Sequence, residues 1–211
     1  MTRQKQKREI HIGYLVGALV APFVLFGVYL WWTASRPELP VYSESLYQND
    51  DFRKVRLWNQ HNQQQRLVDA WKGKVVLVNF FFTHCANICP PMMNNLKTRV
   101  APELIDHTDL QMASISVDYR RDSVPRLQEY AHMMGIDQFS HWMLYTAPDK
   151  TTHLLARNAF KTAVSEIDSG INFIHSGLII LLDQEGRMRG FYDSNDPTKM
   201  TKLVEDAEKL L

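Results

Sequence analysis

Apolar residues in this chain gather into a few long runs separated by short polar stretches, and each run predicts an element. Residues 75–82, reading VVLVNFFF, are almost continuously apolar, as expected of a strand buried on both faces. Residues 110–117 alternate weakly and predict a second central strand, and residues 173–182 predict a third. Between them Leu127, Tyr130, Ala131 and Met134 recur at helical spacing, with Ser123 as the expected cap and Gly135 as the stop. A helix is also predicted from Ile88 to about Ile105, and another over residues 148–160.

The flanks of this pattern read as hairpins and a closing helix. Residues 55–59 and 66–68, separated by the polar HNQQQ, predict an N-terminal hairpin, followed by a turn at Trp71-Lys72-Gly73-Lys74. Asp183-Gln184-Glu185-Gly186 turns the third strand back into residues 187–192. Asp196 followed by Pro197 starts a last helix that runs toward Leu211. Strands alternating with helices, then a hairpin and a helix, make an α/β sandwich. The order resembles the thioredoxin fold with an added N-terminal β-hairpin.

One apolar run stands outside this scheme. Residues 10–32 contain no formally charged side chain. As a helix they would span roughly 34 Å, enough to cross a hydrocarbon core of about 30 Å. Tyr29, Trp31 and Trp32 cluster at its far end, where aromatic rings favour the lipid–water boundary. Arg3, Lys5, Lys7 and Arg8 precede it, so the positive-inside rule keeps the N-terminus cytoplasmic and exports the rest. The run is longer than a signal-peptide core, and no small-residue cleavage pattern follows Trp32. The expected organisation is a basic tail at 1–9, a single transmembrane helix at 10–32, a tether at 33–49 that includes the stiff RPELP, and a domain at 50–211. The expected address is a bacterial inner membrane with the domain in the periplasm.

Composition narrows the chemistry. With 45% hydrophobic and 22% charged residues over 211 positions, the chain is globular rather than disordered. A net charge of +1 supplies no basic surface of the kind nucleic acid requires. The sequence has two cysteines, which excludes a multi-disulfide scaffold. Cys85 and Cys89 lie where the first central strand meets a helix, whose N-terminal end favours thiolate over thiol. A disulfide closing so short a loop would stabilise the fold by only roughly 2 kcal/mol, a poor staple. The pair is better suited to redox chemistry or to gripping a soft metal such as Cu(I), with a third nitrogen or sulfur ligand completing the site. His175 opens the third apolar run, and on its own such a histidine is more often a hydrogen-bonded core residue than a ligand. His84 adjoins Cys85 but points the other way on an extended segment. Met92, Met93, Met133 and Met134 read first as core filler.

Three stretches then carry a resemblance. KVVLVNFFFTHCANICP at residues 74–90 resembles the signature of the Sco/SenC family of copper chaperones. SISVDYRRDSVPRLQEYA and FIHSGLIILLDQEGRMRGFY resemble that family's later segments. Ala86-Asn87, Tyr119 and Ile174 depart from its usual residues. The resemblance implies a thioredoxin-like fold, a membrane anchor, and copper held by Cys85, Cys89 and His175. It further implies delivery of copper to the copper A site of cytochrome c oxidase, or reduction of that site's thiols. The implied partners are the copper-bearing oxidase subunit and periplasmic copper carriers or thiol reductants. The competing reading is a thiol–disulfide oxidoreductase in which Cys85 attacks and Cys89 resolves; a peroxidase is a third. The three-residue spacing, one longer than the usual C-x-x-C, speaks against the oxidoreductase.

Overall fold

The apolar run after Gly73 forms the middle of the structure, a computed structural model that describes residues 18–29, 38–160 and 177–211. The chain divides into two units, Met1–Glu38 and Leu39–Leu211. In the second, helix α1 (Asp50–Lys54), strands β1 (Arg56–Asn59) and β2 (Gln64–Arg66) and helix α2 (Leu67–Trp71) lead to strand β3 (Val75–Phe81). Helix α3 (Cys89–Asn95), strand β4 (Leu110–Ser116), helix α4 (Val124–Met134), strand β5 (Trp142–Thr146) and helix α5 (Thr151–Leu155) follow. Strands β6 (Leu178–Leu182) and β7 (Met188–Asp193) and helix α6 (Pro197–Glu208) complete the described chain. Helices α3 and α5 continue into single π-helical segments, Leu96–Val100 and Ala156–Phe160.

Among the described residues the strands form one sheet in the order β2-β1-β5-β4-β3-β6-β7. Strands β3, β4 and β5 are parallel. Strand β6 pairs antiparallel with β3, and β7 antiparallel with β6. The β3-α3-β4 crossover followed by the β6-β7-α6 unit is the thioredoxin-like arrangement expected, and the β1-β2 hairpin adds to the edge beyond β5.

Alternation along β3 sorts its side chains between two cores. Val75, Leu77 and Phe81 pack with Met92, Met93 and Leu96 of the crossover, Leu127 and Tyr130 of α4, and Met200 and Leu203 of α6. Val76, Val78 and Phe80 pack on the other face with Phe52, Leu67, Trp71, Leu155 and Phe160. Burying each such side chain stabilises the fold by roughly 1.5–3 kcal/mol. The one polar side chain in β3, Asn79, is buried but satisfied. Its Oδ1 accepts from Ser114 Oγ at 2.7 Å, and Ser114 Oγ in turn accepts from Trp142 Nε1 at 2.9 Å.

Several boundaries differ from the sequence pattern for visible reasons. Leu67 and Val68 belong to α2 rather than β2, because a helix buries Leu67 and Trp71 four residues apart on one face. Asp196 caps α6 as expected, accepting the Thr198 amide at 2.8 Å. Ser123 precedes α4 without a side-chain cap bond; its carbonyl accepts the Leu127 amide instead. Gly135 closes α4 in the left-handed conformation its position requires, with φ 67°. Strand β6 is described from Leu178, with left-handed Gly177 before it, and residues 173–176 of the expected strand lie outside the described residues. Of the expected span at 10–32, residues 18–29 are described, as helix. No helix among the described residues is long and apolar enough to cross a membrane.

Part of the expected tether is bound to the domain. Arg189, 8% exposed, donates through Nη2 to Leu39 O at 2.6 Å and through Nε to Pro40 O at 3.1 Å. Its Nη1 meets Asp183 Oδ2 at 2.9 Å. The Tyr42 amide donates to Met188 O at 2.9 Å and the Leu46 amide to Gly186 O at 3.0 Å. Residues 39–46 thereby run along β7 and cover a sheet edge that would otherwise present open backbone groups.

Two outcomes follow from this clasp. Arg189→Met should destabilise the domain by about 1–3 kcal/mol in denaturant melts, since it removes the donor to the Leu39 and Pro40 carbonyls and leaves Asp183 with Arg187 as its guanidinium partner, and should open residues 39–46 to limited proteolysis. Burial would raise the Asp183 carboxyl, but the Arg187 amide and the Arg189 and Arg187 guanidiniums outweigh it and hold it below the usual range. A depressed carboxyl contributes stability that is present above about pH 4 and is lost as pH falls through its folded value. The unfolding free energy of the parent should therefore fall with acid below about pH 4, and Asp183→Asn should flatten that slope.

Candidate metal centre

Because β3 and β4 are parallel and Phe81 pairs with Ser116, both strands leave the sheet at one edge. Strand β6 runs the other way with Ile179 opposite Asn79, so it begins where β3 ends. The carboxyl ends of parallel strands are where α/β sheets place their sites, and the cysteine loop lies there.

The loop turns back at once: the Cys85 amide donates to Phe82 O at 3.2 Å. Four residues later Cys89 opens α3, and its amide donates to Cys85 Sγ at 3.2 Å. Pro90 and Pro91 occupy the first helical turn without amide hydrogens, which leaves the Cys89 amide to face the sulfur. Both cysteines are free thiols, Cys85 half-buried and Cys89 buried. Their acidities diverge. Burial would raise Cys85, but hydrogen bonding from Cys89 and the amides of Asn87 and Ile88 outweighs it and holds this thiol below its ordinary value. Burial pushes Cys89 up to about 12, assisted by hydrogen bonding to Cys85 and by the charge of Asp122. Cys85 is thus the more nucleophilic sulfur and Cys89 the retained proton donor.

Beneath the loop lies a polar cluster. Asp122, 1% exposed, accepts from the Thr83 amide at 2.9 Å, from Thr83 Oγ1 at 2.6 Å and from Ser116 Oγ at 2.5 Å. Arg126 Nε donates to Thr83 Oγ1 at 3.1 Å. Tyr130 stacks against Phe81 at 5.3 Å, and its buried hydroxyl has no hydrogen-bond partner. Burial raises the Tyr130 phenol, and the charges of Cys89, Cys85 and Asp122 raise it further.

The structure brings Cys85 and Cys89 together as their spacing implied. His175 lies outside the described residues, but the chain is described again from Gly177. Gly177 has φ 65°, and a Cβ there would stand 3.2 Å from Ile88 Cγ2, one residue before Cys89. Among the described residues no group of three histidine, cysteine or acidic side chains could hold a metal. His84 is exposed and shares a 3.2 Å hydrogen bond with Thr83 Oγ1. Met92 and Met93 are core residues, their sulfurs 3.8 and 3.7 Å from the Asn79 amide nitrogen, whereas Met133 is exposed. Thr83, Asp122 and Arg126 were not legible as site residues. The available signal was an acid immediately before the predicted cap Ser123, which reads as ordinary turn chemistry.

The SCO1/SenC family model matches residues 48–211. The SCO1 protein homolog of Bacillus subtilis is 26% identical over 166 residues, covering 77% of this chain and 78% of that protein. The structure of BsSco, a member of the Sco family of cytochrome c oxidase assembly proteins in which a disulfide switch was identified, is similar with a TM-score of 0.59. That similarity has 25% identity and covers 74% of this chain and 90% of that one. Yeast Sco1 with copper bound shares the fold at 24% identity and a TM-score of 0.51, covering 74% of this chain and 91% of that one.

The divergent acidities predict an order of reaction. Brief iodoacetamide treatment of the reduced protein at neutral pH should label Cys85 at least tenfold faster than Cys89, read by peptide mass spectrometry. Equal labelling would contradict the asymmetry.

Proposed function

This chain belongs to the SCO1/SenC family, and we propose that it is a membrane-anchored copper carrier that acts in assembling the copper A site of cytochrome c oxidase. Cys85, Cys89 and His175 hold the copper as cargo. The observation that carries this reading is the closeness of two free cysteines beyond the end of β3, with the Cys89 amide 3.2 Å from Cys85 Sγ. Two thiolates and one neutral imidazole make a soft trigonal set suited to Cu(I). Gly177, beside Ile88, stands two residues from His175, and two residues of chain reach at most about 7 Å. That reach supports a shared site. Copper leaves by ligand exchange with the oxidase subunit, and the thiols must be returned to the reduced state by periplasmic carriers or reductants.

A second reading has its own support. A lowered Cys85 thiol beside a raised Cys89 thiol is the asymmetry a thiol–disulfide oxidoreductase uses, with Cys85 attacking and Cys89 resolving. The same pair could keep the oxidase thiols reduced.

The anchor belongs to the proposal as well. Leu19, Phe23, Leu25, Phe26 and Tyr29 of the helical residues 18–29 are all more than half exposed, leaving an apolar helix without a polar face. Such a helix favours lipid. With the basic cluster before it, it orients the N-terminus to the cytoplasm and the domain to the periplasm.

Copper stoichiometry and X-ray absorption on the reduced protein test the site: one copper with two sulfur ligands and one nitrogen ligand is expected. Binding should weaken in acid, because the ligands must shed protons. His175→Ala should lower Cu(I) affinity at least tenfold, about 1.4 kcal/mol. Its cost in stability should stay within about 1–2 kcal/mol. Retained copper with a marked stability loss would mean a core histidine. A reporter fused after Leu211 should be active only when exported, and the protein should resist alkaline extraction.

A further inference from the structure

We propose that Asp122 is the positioning residue of the cysteine loop: by anchoring Thr83 from beneath, it holds Cys85 and Cys89 in the geometry that closes a disulfide. This rests on the reading of the pair as the reactive centre.

A carboxylate 1% exposed is expensive to bury unless it is paired with a cation. The donors to Asp122 are instead uncharged: the Thr83 amide, the Thr83 hydroxyl and the Ser116 hydroxyl. Arg126 reaches Thr83 Oγ1 rather than the carboxylate. A neutral side chain would fill this place at lower cost, so stability alone does not account for an acid here.

Its connections account for it. Thr83 follows β3, Ser116 ends β4, and Thr146, at the end of β5, donates through Oγ1 to Asp122 O at 2.6 Å. One residue thus ties three strand ends at the edge that carries the cysteines. With amide and hydroxyl both held, Thr83 is pinned, and only His84 separates the pin from Cys85. The far side of the loop is fixed at Cys89 by the helix. Two fixed ends confine the sulfurs and raise their effective concentration toward each other.

The test equilibrates the full-length protein in detergent with glutathione redox buffers. Cys85 and Cys89 each lose one proton and one electron to form the intramolecular disulfide, and one oxidised glutathione takes both to become two reduced glutathiones. Asp122→Asn and Thr83→Val should each shift this equilibrium at least tenfold toward the dithiol, about 30 mV in potential. Thr83→Ser, which restores the hydroxyl, should stay within twofold of the parent. If Asp122→Asn does not fold by circular dichroism, Thr83→Val decides. Variants within twofold of the parent, or a Thr83→Ser shift as large as that of Thr83→Val, would overturn the assignment. A parent protein that forms no Cys85–Cys89 disulfide would overturn the redox chemistry of the pair itself, a separate result from indifferent variants.

Discussion

The parallel pairing of β3 with β4 is the constraint on which the remaining geometry depends. It carries the chain out of the sheet at Phe81 and at Ser116 on one edge, where backbone donors lose their ladder partners. One such donor, the Thr83 amide, is met by Asp122, and the Cys89 amide at the start of α3 meets Cys85 Sγ. Antiparallel β6 then brings Gly177 to the same edge, against Ile88. The cysteine loop is therefore held by a hydrogen bond at each end, from Thr83 to Asp122 and from Cys89 to Cys85 Sγ.

The two cores explain why that edge is rigid. Strand β3 sends Leu77 and Phe81 to one face and Val76, Val78 and Phe80 to the other, so water reaches neither. Helix α3 lays Met92, Met93 and Leu96 against the sheet directly after Cys89, so shifting the second cysteine would require moving packed core. The Asn79–Ser114–Trp142 chain crosses β3, β4 and β5 and satisfies polar groups that have no access to solvent. On the far edge, Arg189 and Asp183 fasten residues 39 and 40 to β7, so the covered edge is unavailable for pairing with another sheet.

Placing one thiol half-exposed under a helix amide and the other within the core gives two identical side chains different tasks. The Cys85 thiol is held below its ordinary value and loses its proton the more readily, whereas burial holds the Cys89 thiol above its own. That asymmetry serves a soft-metal carrier and a dithiol reductant alike, because both begin with a thiolate at an accessible sulfur and end with the second sulfur engaged.

The amino-acid sequence by itself determined the order of elements from β3 onward, since a strand buried on both faces must be continuously apolar and a helix must repeat its apolar positions every three or four residues; it left helix α1 unread. It also singled out Cys85 and Cys89 as the candidate site, because no other two thiols exist. Local pattern misjudged Leu67 and Val68, whose helical conformation depends on burying Leu67 with Trp71 in a core assembled by distant elements. It also carried β6 through Gly177, which is left-handed and stands just before the strand at Leu178. Asp122 and Thr83 stand 39 residues apart and meet only because parallel strands align their ends. Such long-range contacts leave no periodic trace in the chain. The tertiary structure alone decided which polar residues lie beneath the cysteines.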